Sequence, residues 1–278
     1  MSPDLIFLYE LALKMVLTAI VVVITSVAVE RAGPFVGALI AALPTAAGAA
    51  YFILAIEHPP SFIAASAIGS VAVGAAVSVF SAVYMVLAQR RGVMLSLSIA
   101  LAVWFGLTVA FRAIDWTPLT AVLLNVVVFG VTVPLSWRYR EGGPPKKFLR
   151  TRYDIPLRAI AAAIVVAIVT TASSRIGSFA SGMFALFPII LCSSIVILHP
   201  RVGGKATASM LAHAQIAFVG LSLGFLAVHY TAVPLGSWWA FAAGLLVCII
   251  WSGMLVLLRI RAAKRAAKKV TASSPAAP

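Results

Sequence analysis

Charge and ionisable chemistry are what this sequence has least of. Only 10% of its 278 residues are charged, with seven Asp and Glu, four His and two Cys in all. Soluble domains carry about 25% charged residues. A chain this poor in charge and 63% hydrophobic lacks the polar surface to cover a core in water. Lipid is the solvent that fits. The same scarcity argues against catalysis. No paired carboxylates lie within reach of a His, no Cys/His spacing suits a metal, and there is neither a phosphate loop nor a nucleophile elbow. No enzyme activity, catalytic residue, metal or cofactor is therefore expected. Cys192 and Cys248 lie inside apolar runs without a spacing partner and read as small core residues. The first segment is not expected to be a cleavable signal peptide: Asp4 and Glu10 make its start acidic, and its apolar stretch is too long.

What the chain has in abundance is apolar length. A membrane span needs roughly 20 apolar residues, and nine such stretches can be read, at 8–29, 34–56, 62–88, 93–113, 117–137, 155–174, 177–198, 206–229 and 236–258. Helix punctuation separates them, for example Arg31-Ala32-Gly33-Pro34, Glu57-His58-Pro59-Pro60 and His199-Pro200-Arg201. The expectation is an all-α integral membrane protein of about nine transmembrane helices.

The net charge of +14 suggests nucleic acid until its placement is considered. Six basic residues lie between the fifth and sixth spans, from Arg138 to Arg152, and six follow the ninth, from Arg259 to Lys269. The positive-inside rule puts both groups in the cytoplasm. Alternation then brings Arg31, Arg90, Arg91, Arg201 and Lys205 inside as well, with only Arg112 and Arg175 at the outer face. The N-terminus is expected outside and the C-terminus inside a bacterial-type inner membrane. The expected partner of the basic segments is the anionic lipid headgroup, worth about 1 kcal/mol per basic residue. No nucleic acid is needed; self-association into a homo-oligomer stays open.

A shift of 144 residues aligns 14–44 with 158–188, with 11 of 31 positions identical, among them Arg31/Arg175, Gly33/Gly177, Phe35/Phe179 and Pro44/Pro188. With a short gap, His58-Pro59 falls near His199-Pro200. The first four spans thus correspond to the last four. Five spans separate equivalent positions, and five is odd, so the halves are inverted relative to each other. The implied organisation is a first four-helix repeat at 1–115, a linker helix and basic loop at 116–153, a second repeat at 154–261 and a basic, disordered tail at 262–278. Inverted repeats characterise secondary transporters, whose sites lie at the repeat interface. Fusion of two copies of a small protein produces the same topology without transport.

The run Arg175-Ile176-Gly177, followed by Gly182-Met183-Phe184-Ala185-Leu186-Phe187-Pro188, resembles the matching part of GlpM-like proteins, small four-helix bacterial inner-membrane proteins. The first half departs from that pattern, with Leu43-Pro44-Thr45 in place of Phe-Pro. The resemblance implies two such units joined by the fifth span, and a link to exopolysaccharide production without a set mechanism.

Candidate site residues follow from the cost of polarity in lipid. Pro44 and Pro188 lie mid-span in equivalent helices, where each removes a backbone hydrogen bond. Thr45 sits beside the first, Ser193 and Ser194 near the second. Together they read either as broken helices framing a midplane substrate site or as packing kinks. Glu10 and Lys14, like Asp154 and Arg158, are spaced i,i+4 and form symmetric charged pairs, as site mouths or as side chains reaching to the interfaces. Asn125, His213 and Gln215 are the most deeply placed strongly polar side chains, readable as substrate contacts or as interhelical hydrogen bonds. Gly69, Gly74, Gly220 and Gly224 favour close helix packing. Two functions are therefore expected: a secondary transporter of a small solute, anionic if the positive membrane edges select it, or a non-transporting accessory or scaffold of envelope polysaccharide assembly.

Overall fold

The computed structural model describes residue 9 and residues 12–20, 23–24, 45–140 and 154–273. Among these residues every regular element is a helix. Residues 12–20 are helical, and eight helices follow: α1 (Thr45–Glu57), α2 (Pro60–Leu87), α3 (Val93–Arg112), α4 (Pro118–Trp137), α5 (Asp154–Ala185), α6 (Ile189–Val202), α7 (Gly204–Leu235) and α8 (Ser237–Ser273).

Six stretches among the described residues are long and apolar enough to cross a membrane: Pro60–Leu87, Val93–Arg112, Pro118–Trp137, Gly177–Val202, Gly204–Leu235 and Ser237–Leu258. They coincide with the third, fourth, fifth, seventh, eighth and ninth sequence spans. Parts of the first two spans, and with them Pro44 and Glu10, lie outside the described residues, as does the basic loop at 141–150. The surface fits a lipid setting. On α4, Leu119, Val126, Val127 and Val131 are each more than 60% exposed, a display that water would penalise.

Local chemistry sets the helix limits. The Thr117 hydroxyl accepts from the Thr120 amide and Pro118 occupies the first turn, so α4 starts with a capping box. Gly203 and Gly236 have φ of 84° and 83°. These conformations suit glycine and let α6, α7 and α8 follow one another with almost no loop. Gly177, at φ 80°, bends α5 where the sequence separates its sixth and seventh spans.

One expectation needs correction. α8 remains helical to Ser273, whereas 262–278 was expected to be disordered. Ala262, Ala263, Ala266 and Ala267 alternate with Lys and Arg there, all strong helix formers that continue a helix already nucleated. Of the two readings of Pro188, a broken helix and a packing kink, the structure has the break: α5 stops at Ala185 and α6 starts at Ile189. Around Pro188 (φ −76°, ψ 46°) the Ile189 amide donates to the Phe187 carbonyl at 2.7 Å, an inverse γ-turn.

α2 is the hub, with α7, α5, α4 and α3 around it. Twenty of its residues are buried. α3 and α4 turn only one stripe inward: Ser96, Ala100, Trp104, Thr108 and Phe111 on one, Ala121, Asn125, Phe129, Thr132 and Ser136 on the other. Apolar burial drives little association in lipid, so close approach must supply it. A Cβ on Gly69 would overlap the Phe179 carbonyl of α5, and one on Gly182 would overlap the Ser66 carbonyl of α2. Gly224 and Gly244 bring α7 and α8 together in the same way.

Candidate functional site

The buried polar side chains form a seam between α2, α4 and α7. The Asn125 amide donates to the carbonyls of Val71 and Ala121, both at 2.8 Å, and its oxygen accepts from Ser222 at 3.0 Å. Seven residues along all three helices, about 10 Å away at 1.5 Å per residue, the pattern recurs. Gln215 donates to the Ser78 carbonyl at 3.0 Å, its Oε1 accepts from the Ser78 hydroxyl at 3.0 Å, and Ser78 meets Thr132 at 2.6 Å. Another seven residues in the other direction, His229 Nδ1 donates to the Ala64 carbonyl at 2.8 Å. Every polar atom of the Asn125 and Gln215 amide heads is thus engaged by protein in at least one hydrogen bond, the arrangement that makes buried polarity structurally useful.

A second polar link joins α1, α2 and α5. Ser70 donates to the Gly182 carbonyl at 2.7 Å, which leaves the Tyr51 hydroxyl to donate to Ser70 at 2.7 Å. Close to the break at Pro188, Trp104 is fully buried, edge-on to Phe187 at 5.1 Å, and its indole N–H has no hydrogen-bond partner among the described residues.

The open space lies elsewhere. A cavity of about 540 Å³ is bounded by Leu17 and Thr18, by α1 from Gly48 to Ile53, by α7 from Leu221 to Val228 and by α8 from Phe241 to Cys248. Its walls are apolar. The Thr18 hydroxyl donates to the Lys14 carbonyl at 2.8 Å, and that of Tyr51 is engaged by Ser70. Lys14 stands one turn from Thr18 and Glu57 one turn from Ile53, and the two form an ion pair across the cavity's end.

Of the expected site residues, Asn125 and Gln215 enter the same seam, as interhelical ties. His213 is not with them. Its side chain is exposed and Nδ1 donates to the Ser209 carbonyl of its own helix at 2.7 Å. Ser193 and Ser194 both donate to the Ile190 carbonyl, at 3.0 and 2.7 Å. Thr45 opens α1, and Pro188 stands just before α6. Lys14 pairs with Glu57, whereas Glu10 lies outside the described residues; Asp154 and Arg158 lie on α5, their side chains outside the description. Gly69, Gly74, Gly220 and Gly224 all sit at close helix contacts: Gly69 against the Phe179 carbonyl of α5, Gly74 against Ser222 of α7, and Gly220 and Gly224 against Trp251 and Cys248 of α8. Sequence reasoning missed Ser78, Thr132, Ser222, Tyr51 and Glu57. The sevenfold spacing of Asn125 with Thr132 and of Gln215 with Ser222 was the available signal. Among the described residues no three His, Cys, Asp or Glu side chains converge as a metal site would require.

In comparison with known proteins, no family model, curated protein or solved structure matches the chain significantly.

Proposed function

We propose that the chain is a secondary transporter of the bacterial inner membrane, built from two inverted halves, whose solute carries a hydrocarbon part and enters the cavity between them. The observation carrying this reading is the unequal state of two places that become equivalent when the 144-residue displacement is carried on past the gap at His58, where it takes the start of α2 at Pro60 onto that of α7 at Gly204 and the start of α3 at Val93 onto that of α8 at Ser237. That displacement takes Ser78 onto Ser222, and these two serines do corresponding work in the α2–α7 seam. It also takes Trp104 onto Cys248 and Gly48 onto Cys192. Cys248 and Gly48 line the open cavity, while Trp104 fills its counterpart against Phe187. One half-site open and the other closed is what alternating access requires of a single conformation. The apolar walls favour an amphipathic or lipid-linked solute over a small anion. No reaction is assigned to the chain.

The break at Pro188 supplies the moving part. Pro188→Ala would let α5 and α6 join into one helix and bias the chain toward one conformation. In proteoliposomes the wild-type chain should accelerate the loss of a short-chain fluorescent phospholipid from the inner leaflet, read by reduction with external dithionite. Pro188→Ala should fold and insert normally yet slow that flux about tenfold, the effect of about 1.4 kcal/mol on one conformer. Absence of wild-type acceleration over protein-free vesicles would defeat the reading. Orientation has its own check: cysteine at 60 should react from outside and at 203 only from inside.

A second reading, the non-transporting accessory of envelope polysaccharide assembly suggested by the GlpM-like resemblance, draws support from the seam. Its deepest amides, Asn125 and Gln215, are held by structural partners and offer nothing to a polar solute.

A further inference from the structure

The cavity has a chemistry at its end that a purely apolar ligand would leave unused. Its walls, from Gly48 to Ile53 on one side and from Gly244 to Cys248 on the other, present no uncommitted polar group. Such a space does not hold water in order, since a buried water needs two to four polar partners. In a bilayer the apolar filling at hand is an acyl chain, and about 540 Å³ lies within the range of about 300–1,000 Å³ typical of ligand pockets. Beyond Thr18 and Ile53 stands the Lys14–Glu57 pair, with side chains 23% and 25% exposed. A partly exposed pair can exchange partners without stranding a buried charge.

From this geometry we infer that the cavity binds one phospholipid, with an acyl chain along α1 and α8 and its head group at Lys14 and Glu57. The inference rests on the transport reading only in treating the cavity as a ligand site; it does not require flux. Charge complementarity selects the head group. The phosphate takes the three donors of the Lys14 ammonium, and Glu57, released from Lys14, takes a cationic amine. A phosphoethanolamine head satisfies both, whereas an anionic glycerol head satisfies Lys14 and leaves Glu57 facing like charge.

Gly48 provides the test. A Cβ built there meets no atom within 4 Å, and its backbone is helical, so Gly48→Leu fills the cavity without forcing a helix apart. Gly106, on an exposed face of α3 and equally free of neighbours, is the control. The purified full chain in mild detergent is offered equal amounts of phosphatidylethanolamine, phosphatidylglycerol and diacylglycerol with the same chains, and bound lipid is counted by native mass spectrometry. Wild type and Gly106→Leu should each retain one phosphatidylethanolamine, about tenfold over diacylglycerol. Gly48→Leu should retain none, and Glu57→Gln should shift the preference toward phosphatidylglycerol. Retention of the same lipid by Gly48→Leu, an equal or greater share of diacylglycerol, or a second copy of the chain in place of lipid would overturn the inference. Lipid bound without accelerated flux would uphold this site and defeat the transport reading. Flux without a lipid sensitive to Gly48 would do the reverse.

Discussion

The two sides of α7 are built on different chemistry. Toward α2 and α4 it places Gln215, Ser222 and His229 at intervals of seven residues, each hydrogen-bonded to a neighbouring helix. Toward α8 and the cavity it places Leu221, Gly224, Phe225 and Val228. The first side is closed; on the second, α7 meets α8 closely at Gly224 and Gly244 and through the Trp251 indole, which donates to the Ile216 carbonyl at 2.9 Å, and space is left only where α1 faces the pair. Lipid supplies no apolar drive for helices to associate, so hydrogen bonds and small residues decide which faces meet. Where α1 faces α7 and α8 across apolar walls, protein and lipid chains are interchangeable, and a ligand-sized gap persists.

The largest expected effect lies at another closed contact of α2, where α5 meets it at Gly182. A branched side chain in Gly182→Val meets the Ser66 backbone, which cannot move aside. The expected cost is about 3 kcal/mol, read as loss of monodisperse protein and a lowered unfolding temperature in detergent. Gln215→Leu comes next. It leaves the Ser78 and Thr132 hydroxyls with one acceptor fewer and should cost about 2 kcal/mol; adding Ser78→Ala should recover part of it, because no hydroxyl then remains unmet. On the open side the sign reverses. Gly48→Leu should raise thermal stability by up to about 1 kcal/mol, through helix propensity and filled space. His213→Ala, removing an exposed ring tied only to its own helix, should stay within about 0.5 kcal/mol of wild type.

Depth along the chain was legible in the sequence; direction around each helix was not. Apolar length placed α2, α3, α4, α7 and most of α8 within a few residues, because a helix in lipid must be apolar for its whole crossing. Pro188 signalled the break between α5 and α6. His213 and Gln215, two residues apart, looked alike by depth, yet one is exposed and the other fully buried. With every face apolar, the usual amphipathic stripe that tells inside from outside is missing. The seam partners escaped for a related reason. Ser78, Thr132 and Ser222 are residues that membrane helices use everywhere, and only the pairing of α2 with α7 singles them out. The basic end of α8 was missed because chain ends with small polar residues are commonly disordered, whereas the alanines between its Lys and Arg carry the helix on to Ser273.

The central claim is that the cavity between α1, α7 and α8 belongs to lipid and not to water. A nitroxide at position 48, in a chain with Cys192 and Cys248 replaced by alanine, tests it most directly by power-saturation electron paramagnetic resonance in liposomes. Labels at position 123, on the lipid-facing side of α4, and position 115, in the exposed turn before it, set the two limits. The label at 48 should relax with oxygen and ignore a water-soluble nickel complex, as at 123. Relaxation by the nickel complex as strong as at 115 would mean a water-filled vestibule and would contradict the account.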